Sequence, residues 1–199
     1  MRTRLIVAGL VLAGLFAALL PSCKRQEAAA PPAAASPQGA STMSMKITST
    51  AFAAGAVIPT RYTGDGENIS PPLQWSSLPA GTAELALICD DPDAPSAEPW
   101  VHWVIYKIPP STAGLEENIP TSQRLTSPAG AVQGVSSDQA VGYHGPRPPR
   151  GHGVHHYRFH LYALDAALPL QSGLTKNQLL KAIGGHVLAE AELVGTYQR

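Results

Sequence analysis

The segment Val154–Leu164 restricts the fold more than any other part of the chain, because its polarity changes every second residue. His155, Tyr157, Phe159, Leu161 and Ala163 fall on one side, and His156, Arg158, His160 and Tyr162 on the other. A repeat of two is the geometry of a β-strand, whose successive side chains leave opposite faces. The first set is the more apolar, so His155 is predicted to point inward and His156 to meet solvent.

Met45–Ser49, Glu84–Asp90 and Trp100–Ile108 are further apolar or alternating runs of strand length. Turn clusters separate them, at Thr63-Gly64-Asp65-Gly66, Ser76–Thr82 and Gly142–Gly153. On the Glu84 strand Leu85, Leu87, Cys89 and Asp91 share a face, and a carboxylate closing an apolar face needs a partner there. The Trp100 strand is apolar on both sides, which buries His102. Thr175-Lys-Asn-Gln178 has the capping-box pattern, Leu179, Leu180 and Ile183 make an apolar stripe, and Gly184-Gly185 stops it, so a short helix is expected there. His186–Tyr197 is ambiguous: its Ala and Glu content favours helix, its Val-Gly-Thr-Tyr ending favours strand. The fold class is all-β, a sandwich with a minor helix.

The N-terminal region reads as an address. Arg2 and Arg4 precede Leu5–Leu20, a stretch without charge that is short for a membrane-spanning helix and suits a secretory signal. Leu20-Pro21-Ser22-Cys23 resembles a bacterial lipobox, which implies cleavage before Cys23 and a lipid on its sulfur. Residues 1–22 are therefore expected to be a lipoprotein signal peptide, 23–42 an Ala/Pro-rich linker, and 43–199 one domain. With no Asp after Cys23, the expected location is the cell envelope, anchored in the outer membrane and facing the periplasm.

Charge narrows the partners. The chain holds 14 Lys+Arg against 14 Asp+Glu, and residues 43–199 hold 10 against 13, so no cationic face for nucleic acid is expected. The chain's 2 cysteines, Cys23 and Cys89, cannot build a disulfide scaffold or a four-cysteine zinc site. Cys89, within a strand, reads as a small buried hydrophobe. Five histidines lie between His144 and His160, but only His156 and His160 share a strand face, too few ligands for zinc, so no metal and no cofactor are expected. Asp65 and Glu67 read as turn chemistry, and Lys107 and Asp138 as solvated surface.

Three features could carry chemistry. Asp90-Asp91-Pro92-Asp93-Ala94-Pro95 is a turn stiffened by two prolines and bearing three carboxylates. His102 lies between Trp100 and Trp103, which read as core or pocket wall. Gly145-Pro146-Arg147-Pro148-Pro149-Arg150-Gly151 leads into His155. A carboxylate bonded to a histidine raises its pKa and sets its tautomer. Two such histidines near free glycine N–H groups would suit an anion such as phosphate.

At these residues the chain resembles the phosphatidylethanolamine-binding proteins, also called Raf kinase inhibitor proteins, in their bacterial branch. Asp91-Pro-Asp93-Ala-Pro95 with His102-Trp103 is similar to one family signature, and the Gly145–Gly151 block with His155-His156-Tyr157 to the other. The resemblance covers roughly Met45–Tyr197. It implies a large antiparallel sheet packed on a smaller one, with Val187–Tyr197 as the last strand. It also implies a cavity lined by Asp91, Asp93, His102, Pro148, Pro149, His155 and Tyr157, which accepts phosphate-like anions and phospholipid head groups. Gly145, Arg147 and Arg150 lie beside these positions, the arginines as cationic donors. The chain ends at Arg199 without the C-terminal helix of eukaryotic members, so a more open mouth is expected, with an uncovered sheet edge through which a homodimer could form.

No Ser or Cys lies in a nucleophile motif and no phosphate-cradling glycine loop precedes a helix. The reading is thus a non-catalytic module holding an anionic small molecule or phospholipid head group, tethered to a membrane through Cys23. The alternative is a protein-interaction domain or inhibitor of a protease or kinase; a third reading is a weak hydrolase using Asp91, His102 and His155.

Overall fold

The computed structural model describes residues 44–199. The signal, lipidation and linker expectations, including Cys23, lie outside the described residues. Eight strands and one helix follow in chain order: β1 (Lys46–Thr48), β2 (Leu73–Ser76), β3 (Glu84–Asp91), β4 (Trp100–Ile108), β5 (Gly114–Leu115), β6 (Val132–Gln133), β7 (His155–Leu164), α1 (Lys176–Ile183) and β8 (Val187–Tyr197).

The strands form two antiparallel sheets, one of three strands in the order β1-β2-β5 and one of five in the order β6-β4-β3-β7-β8. This is the mainly-β, two-sheet class with one short helix. β8 settles the ambiguous tail as strand, paired with β7 from His155–Tyr197 to Leu164–Val187. Cross-strand pairing and burial of Ala191 and Leu193 override the helical composition of this segment. The short strands β2, β5 and β6 carry too few residues to show a period.

Central position makes β3 buried on both faces. Leu85, Leu87 and Cys89 meet Trp103, Ile105, Phe159 and Leu161, together with Ile47, Leu73 and Trp75 of the small sheet. On its other face Ala86 and Ile88 pack with Val104, Tyr106, Tyr162 and the α1 residues Leu179 and Ile183. Helix α1 begins as its sequence requires: Thr175 Oγ1 accepts from the Gln178 N–H, and the Gln178 side chain accepts from the Thr175 N–H.

β4 breaks strict alternation twice. Its pairing with β3 shifts register between Leu85 and Leu87 and between Cys89 and Asp90. At the first shift Lys107 adopts φ 58°. Its ammonium donates to the Leu168 carbonyl at 2.6 Å and lies 3.7 Å from the buried Glu84 carboxylate. Lys107 is thus the partner of a buried acid rather than solvated surface. Burial raises the Glu84 pKa, and the charge of Lys107 partly opposes it.

Part of the β8 edge is covered. Gly55 N–H donates to the Val194 carbonyl at 2.7 Å, and residues 56 and 58 pair with Thr196. Toward the start of the strand Leu188, Glu190 and Glu192 are exposed.

Candidate functional site

The C-terminal end of β3 and the starts of β4 and β7 meet at one end of the large sheet, where Asp91 pairs with Trp100 and Asp90 with Arg158. The second register shift acts here. Val101 faces the α1 side and Trp103 the inter-sheet core, although residues two apart in a regular strand share a face. His102 is the extra residue of this β-bulge, and the bulge turns it toward Asp91 and Tyr157. Its ring meets the Tyr157 ring edge-on, with centroids 5.1 Å apart.

These residues open onto a cavity of about 470 Å³. Asp91, His102 and Tyr157 line it from the sheet; Arg147, Pro148 and Pro149 from the loop before β7; Trp100, 39% exposed, lies among the lining residues. Two loops form the facing wall and are bonded to each other: Gly64 N–H donates to the Pro146 carbonyl at 2.9 Å and Gly145 N–H to Asn68 Oδ1 at 2.7 Å. Gly64 lies flat under the stem of Arg147, where an added Cβ would stand 3.0 Å from the Arg147 Cβ. Arg199 ties the same loops from the C-terminal end, 3.0 Å from the Asp65 carboxylate and bonded to the Pro148 carbonyl at 3.5 Å.

Polar partners define what the cavity offers. Asp91 Oδ2 accepts from His155 Nδ1 at 2.7 Å, and Asp91 Oδ1 from the Asp93 N–H at 2.9 Å. Asp138 Oδ1 accepts from Ser136 Oγ at 2.5 Å, while Asp138 Oδ2 lies 3.0 Å from His144 Nδ1. Burial would raise the Asp138 pKa, but the Ser136 bond and His144 outweigh it and hold the carboxyl low. His102 Nδ1 donates to the His144 carbonyl at 2.6 Å, leaving Nε2 without a partner among the described residues. Burial lowers the pKa of His102, with the His144 bond and the Asp91 charge only partly opposing, so the ring stays neutral. Tyr157 is 1% exposed and its hydroxyl has no hydrogen-bond partner among the described residues. Burial, reinforced by the Asp91 charge, raises its pKa well above the ordinary tyrosine value, so it remains a donor.

Six of the nine sequence-selected ligand residues line the cavity: Asp91, His102, Arg147, Pro148, Pro149 and Tyr157. Three do not. Asp93 closes an Asx turn on Asp91, and the turn sends its carboxylate away to His156, whose N–H and Nδ1 bind it at 2.8 and 2.7 Å. Burial of Asp93 is outweighed by these bonds, which lower its pKa. Gly145 has its N–H engaged by Asn68; its lack of a Cβ serves packing, since a Cβ would stand 2.4 Å from the Tyr62 carbonyl oxygen. His155 points inward but stands behind Asp91, with Nε2 at 2.8 Å from His152 Nδ1. Thus of the two selected histidines His102, not His155, stands at the wall, and it bonds a carbonyl instead of a carboxylate. Arg150 is exposed and does not line the cavity.

Asn68, Asp138 and His144 line the cavity without having been selected as ligand residues from the sequence. Asp138 is thereby moved from solvated surface to the site. His144 stands next to the Gly145 block, but its pairing with Asp138 depends on the hairpin closed by Val135 and Val141. Cys89 is a buried free thiol whose pKa is raised by burial. The histidines between 144 and 160 have different partners: His144 has Asp138, His156 has Asp93, and His160 has Glu190.

Comparison with known proteins gives the same architecture. Residues 48–198 match the family profile described as phosphatidylethanolamine-binding protein. A UPF0098 protein of Methanothermobacter thermautotrophicus is 54% identical over 155 residues, covering 78% of this chain and 99% of that protein. LppC of Mycobacterium tuberculosis, which is named as a lipoprotein, is 44% identical over 154 residues, covering 77% of this chain and 72% of that protein. Among solved structures, Escherichia coli YbcL, described as a member of the mammalian PEBP family, is 31% identical, with a TM-score of 0.73 and coverage of 78% of this chain and 98% of that one. The Chlamydia trachomatis homologue CT736 is 40% identical, with a TM-score of 0.70 and the same coverage.

Proposed function

This chain belongs to the phosphatidylethanolamine-binding protein family, and from that premise we propose that it is a non-catalytic binding module. Its ligand is an anionic small molecule, phosphate or a phospholipid head group, held in the cavity at the end of β3, β4 and β7.

One observation carries the reading: Tyr157 lines the cavity, and its buried hydroxyl has no hydrogen-bond partner among the described residues. An unpaired buried hydroxyl costs about 1–3 kcal/mol, and an incoming acceptor removes that cost. The acceptors of the wall are already engaged, Asp91 by His155 and the Asp93 N–H, Asp138 by Ser136 and His144. Donors of the lining residues left without a partner among the described residues include the Tyr157 hydroxyl and the Arg147 guanidinium. A wall with spare donors, whose carboxylates are already hydrogen-bonded, favours a guest rich in lone pairs, which phosphate oxygens are. Neutral His102 has an Nε2 lone pair available for an O–H or N–H of the same guest. Asp91 and Asp138 restrict the guest by repelling a bare anion that comes too near.

Calorimetric titration of the full chain with inorganic phosphate and with glycerophosphoethanolamine tests this. Saturable binding that weakens in Arg147→Ala is expected. Absence of binding together with inhibition of a protease would favour the inhibitor reading, and turnover of phosphate esters lost in His102→Ala would favour a hydrolase.

The location is part of the proposal. Residues 1–22 would direct export, Cys23 would carry the lipid, 23–42 would form the tether and 43–199 the domain, at the outer membrane facing the periplasm. The lipobox-like Leu20–Cys23 and the lipoprotein name of LppC support it. Among the described residues no helix is long and apolar enough to cross a membrane. Incorporation of labelled palmitate that is abolished in Cys23→Ser is the expected result.

A further inference from the structure

Resting on the anion reading of the cavity, we propose that His152 is the solvent end of a proton relay, His152–His155–Asp91, through which the site takes up a proton as an anion enters. Anion binding then tightens as pH falls.

The three groups are bonded in sequence from the cavity to the surface. Asp91 lines the cavity, and its Oδ2 lies 2.7 Å from His155 Nδ1. His155 is 1% exposed, and its Nε2 lies 2.8 Å from Nδ1 of His152, which is exposed. The His152 ring can fold back over the strand because it stands between Gly151 at φ 74° and Gly153 at φ 98°, a conformation that favours glycine. The two ring centroids are 5.0 Å apart.

Proton positions follow from donors and acceptors. A carboxylate only accepts, so His155 Nδ1 carries a proton and donates it to Asp91. In neutral His155 the Nε2 lone pair must then accept, and His152 Nδ1–H is the donor. When a proton arrives at His152 Nε2, the Nδ1 proton passes to His155 Nε2. The positive charge now stands on His155 against Asp91, and His152 Nδ1 accepts from the new N–H. One proton has entered, and no hydrogen bond has been lost. The site wall has exchanged a bare carboxylate for an ion pair, which removes repulsion toward a bound anion.

Other titratable groups face the relay from each neighbouring element. Asp93, just beyond β3, is bound to His156 and lies within the field of His155. His102 of β4 and Tyr157 of β7 both lie within the field of Asp91. Tyr197 of β8 is paired opposite His155, and the Arg199 carbonyl accepts from Gly151 N–H. Cys89 of β3 is fully buried. Burial lowers the pKa of His102 and raises those of Tyr157 and Cys89, so none of the three favours taking up a further proton. The second pair in the cavity, His144 with Asp138, is separated from it by the experiment below.

The full chain is titrated with sulfate, whose charge is constant between about pH 5 and 8, in two buffers of different ionisation enthalpy. Uptake of up to about one proton on sulfate binding is expected, with affinity rising by at most about tenfold per pH unit as pH falls. His152→Ala should cut the uptake by more than half, because His155 loses the acceptor for its second N–H. Imidazole 15N spectra should show His152 and His155 both protonated at Nδ1 at high pH, and His155 gaining the Nε2 proton on sulfate addition. Unchanged uptake in His152→Ala, or a proton appearing on His144 instead, overturns the relay. If sulfate does not bind at any pH, the anion reading itself fails, and an Nε2-protonated His155 in the same spectra would separately overturn the relay geometry.

Discussion

Replacing Tyr157 by Phe changes two free energies in opposite directions. Without ligand, the hydroxyl is buried with no partner among the described residues, in a residue 1% exposed whose ring packs edge-on against His102. Its removal deletes no hydrogen bond and one desolvation cost of about 1–3 kcal/mol, so the ligand-free protein should be as stable as the parent or up to about 2 kcal/mol more stable. For a domain of this size that is a rise in Tm of up to about 4–8 °C. With phosphate bound, the same hydroxyl donates to a charged acceptor, an interaction of about 1.5–3 kcal/mol, so Kd should weaken about 10- to 100-fold. At a phosphate concentration 100 times the parent Kd, ligand stabilises the parent by about 2.7 kcal/mol, and the variant by only ~0.4–1.4 kcal/mol. Differential scanning calorimetry with and without phosphate reads both changes. A Tyr157→Phe protein that is less stable by 1 kcal/mol or more without ligand, yet gains as much from phosphate as the parent, would refute the reasoning, since the hydroxyl would then be bonded within the protein.

Three further outcomes are expected. Gly145→Ala places a Cβ 2.4 Å from the Tyr62 carbonyl oxygen and should destabilise the domain by about 1–3 kcal/mol in urea unfolding, with unchanged m-value. Lys176→Ala removes the ammonium bonded to buried Asp90 and should cost about 3–5 kcal/mol by the same assay, whereas Lys176→Arg should recover most of it. Asp93 has a folded pKa below its unfolded value, so its stabilising contribution is complete above about pH 4, the unfolded value, and disappears as pH falls through the lower folded one. Thermal unfolding should therefore fall more steeply below about pH 4 in the parent than in Asp93→Asn.

Legibility in the sequence followed the range of the interaction. The alternation of Val154–Leu164 and the Thr175–Gln178 box are signals within a few residues, and strand β7 and helix α1 stand where they place them. His155 facing inward and His156 facing outward follow from the same period of two. Asp91-Pro-Asp93 marks the corner correctly, but proximity in sequence suggested that both carboxylates serve one cavity. The Asx turn, a bond from the Asp93 N–H back to Asp91, separates them onto opposite sides. Lys107 and Asp138 looked like surface because neither has an oppositely charged neighbour nearby in the sequence, while their partners Glu84 and His144 lie on other strands and loops.

From its residues alone this chain specifies strands β1, β3, β4 and β7, helix α1 and the two proline-stiffened corners, whereas Pro148, Pro149 and Tyr157 were assigned to a cavity by the family resemblance. The strands, helix and corners depend on backbone periodicity, proline geometry and capping, all of which act locally. Tertiary packing decided the rest. An extra residue in β4 turns His102 into the cavity, contact with the Tyr62–Thr63 backbone explains Gly145, and the meeting of loops 64–68 and 145–151 positions Arg147. Bulges and loop contacts arise where two distant segments must match in register and volume, and neither segment alone contains that constraint.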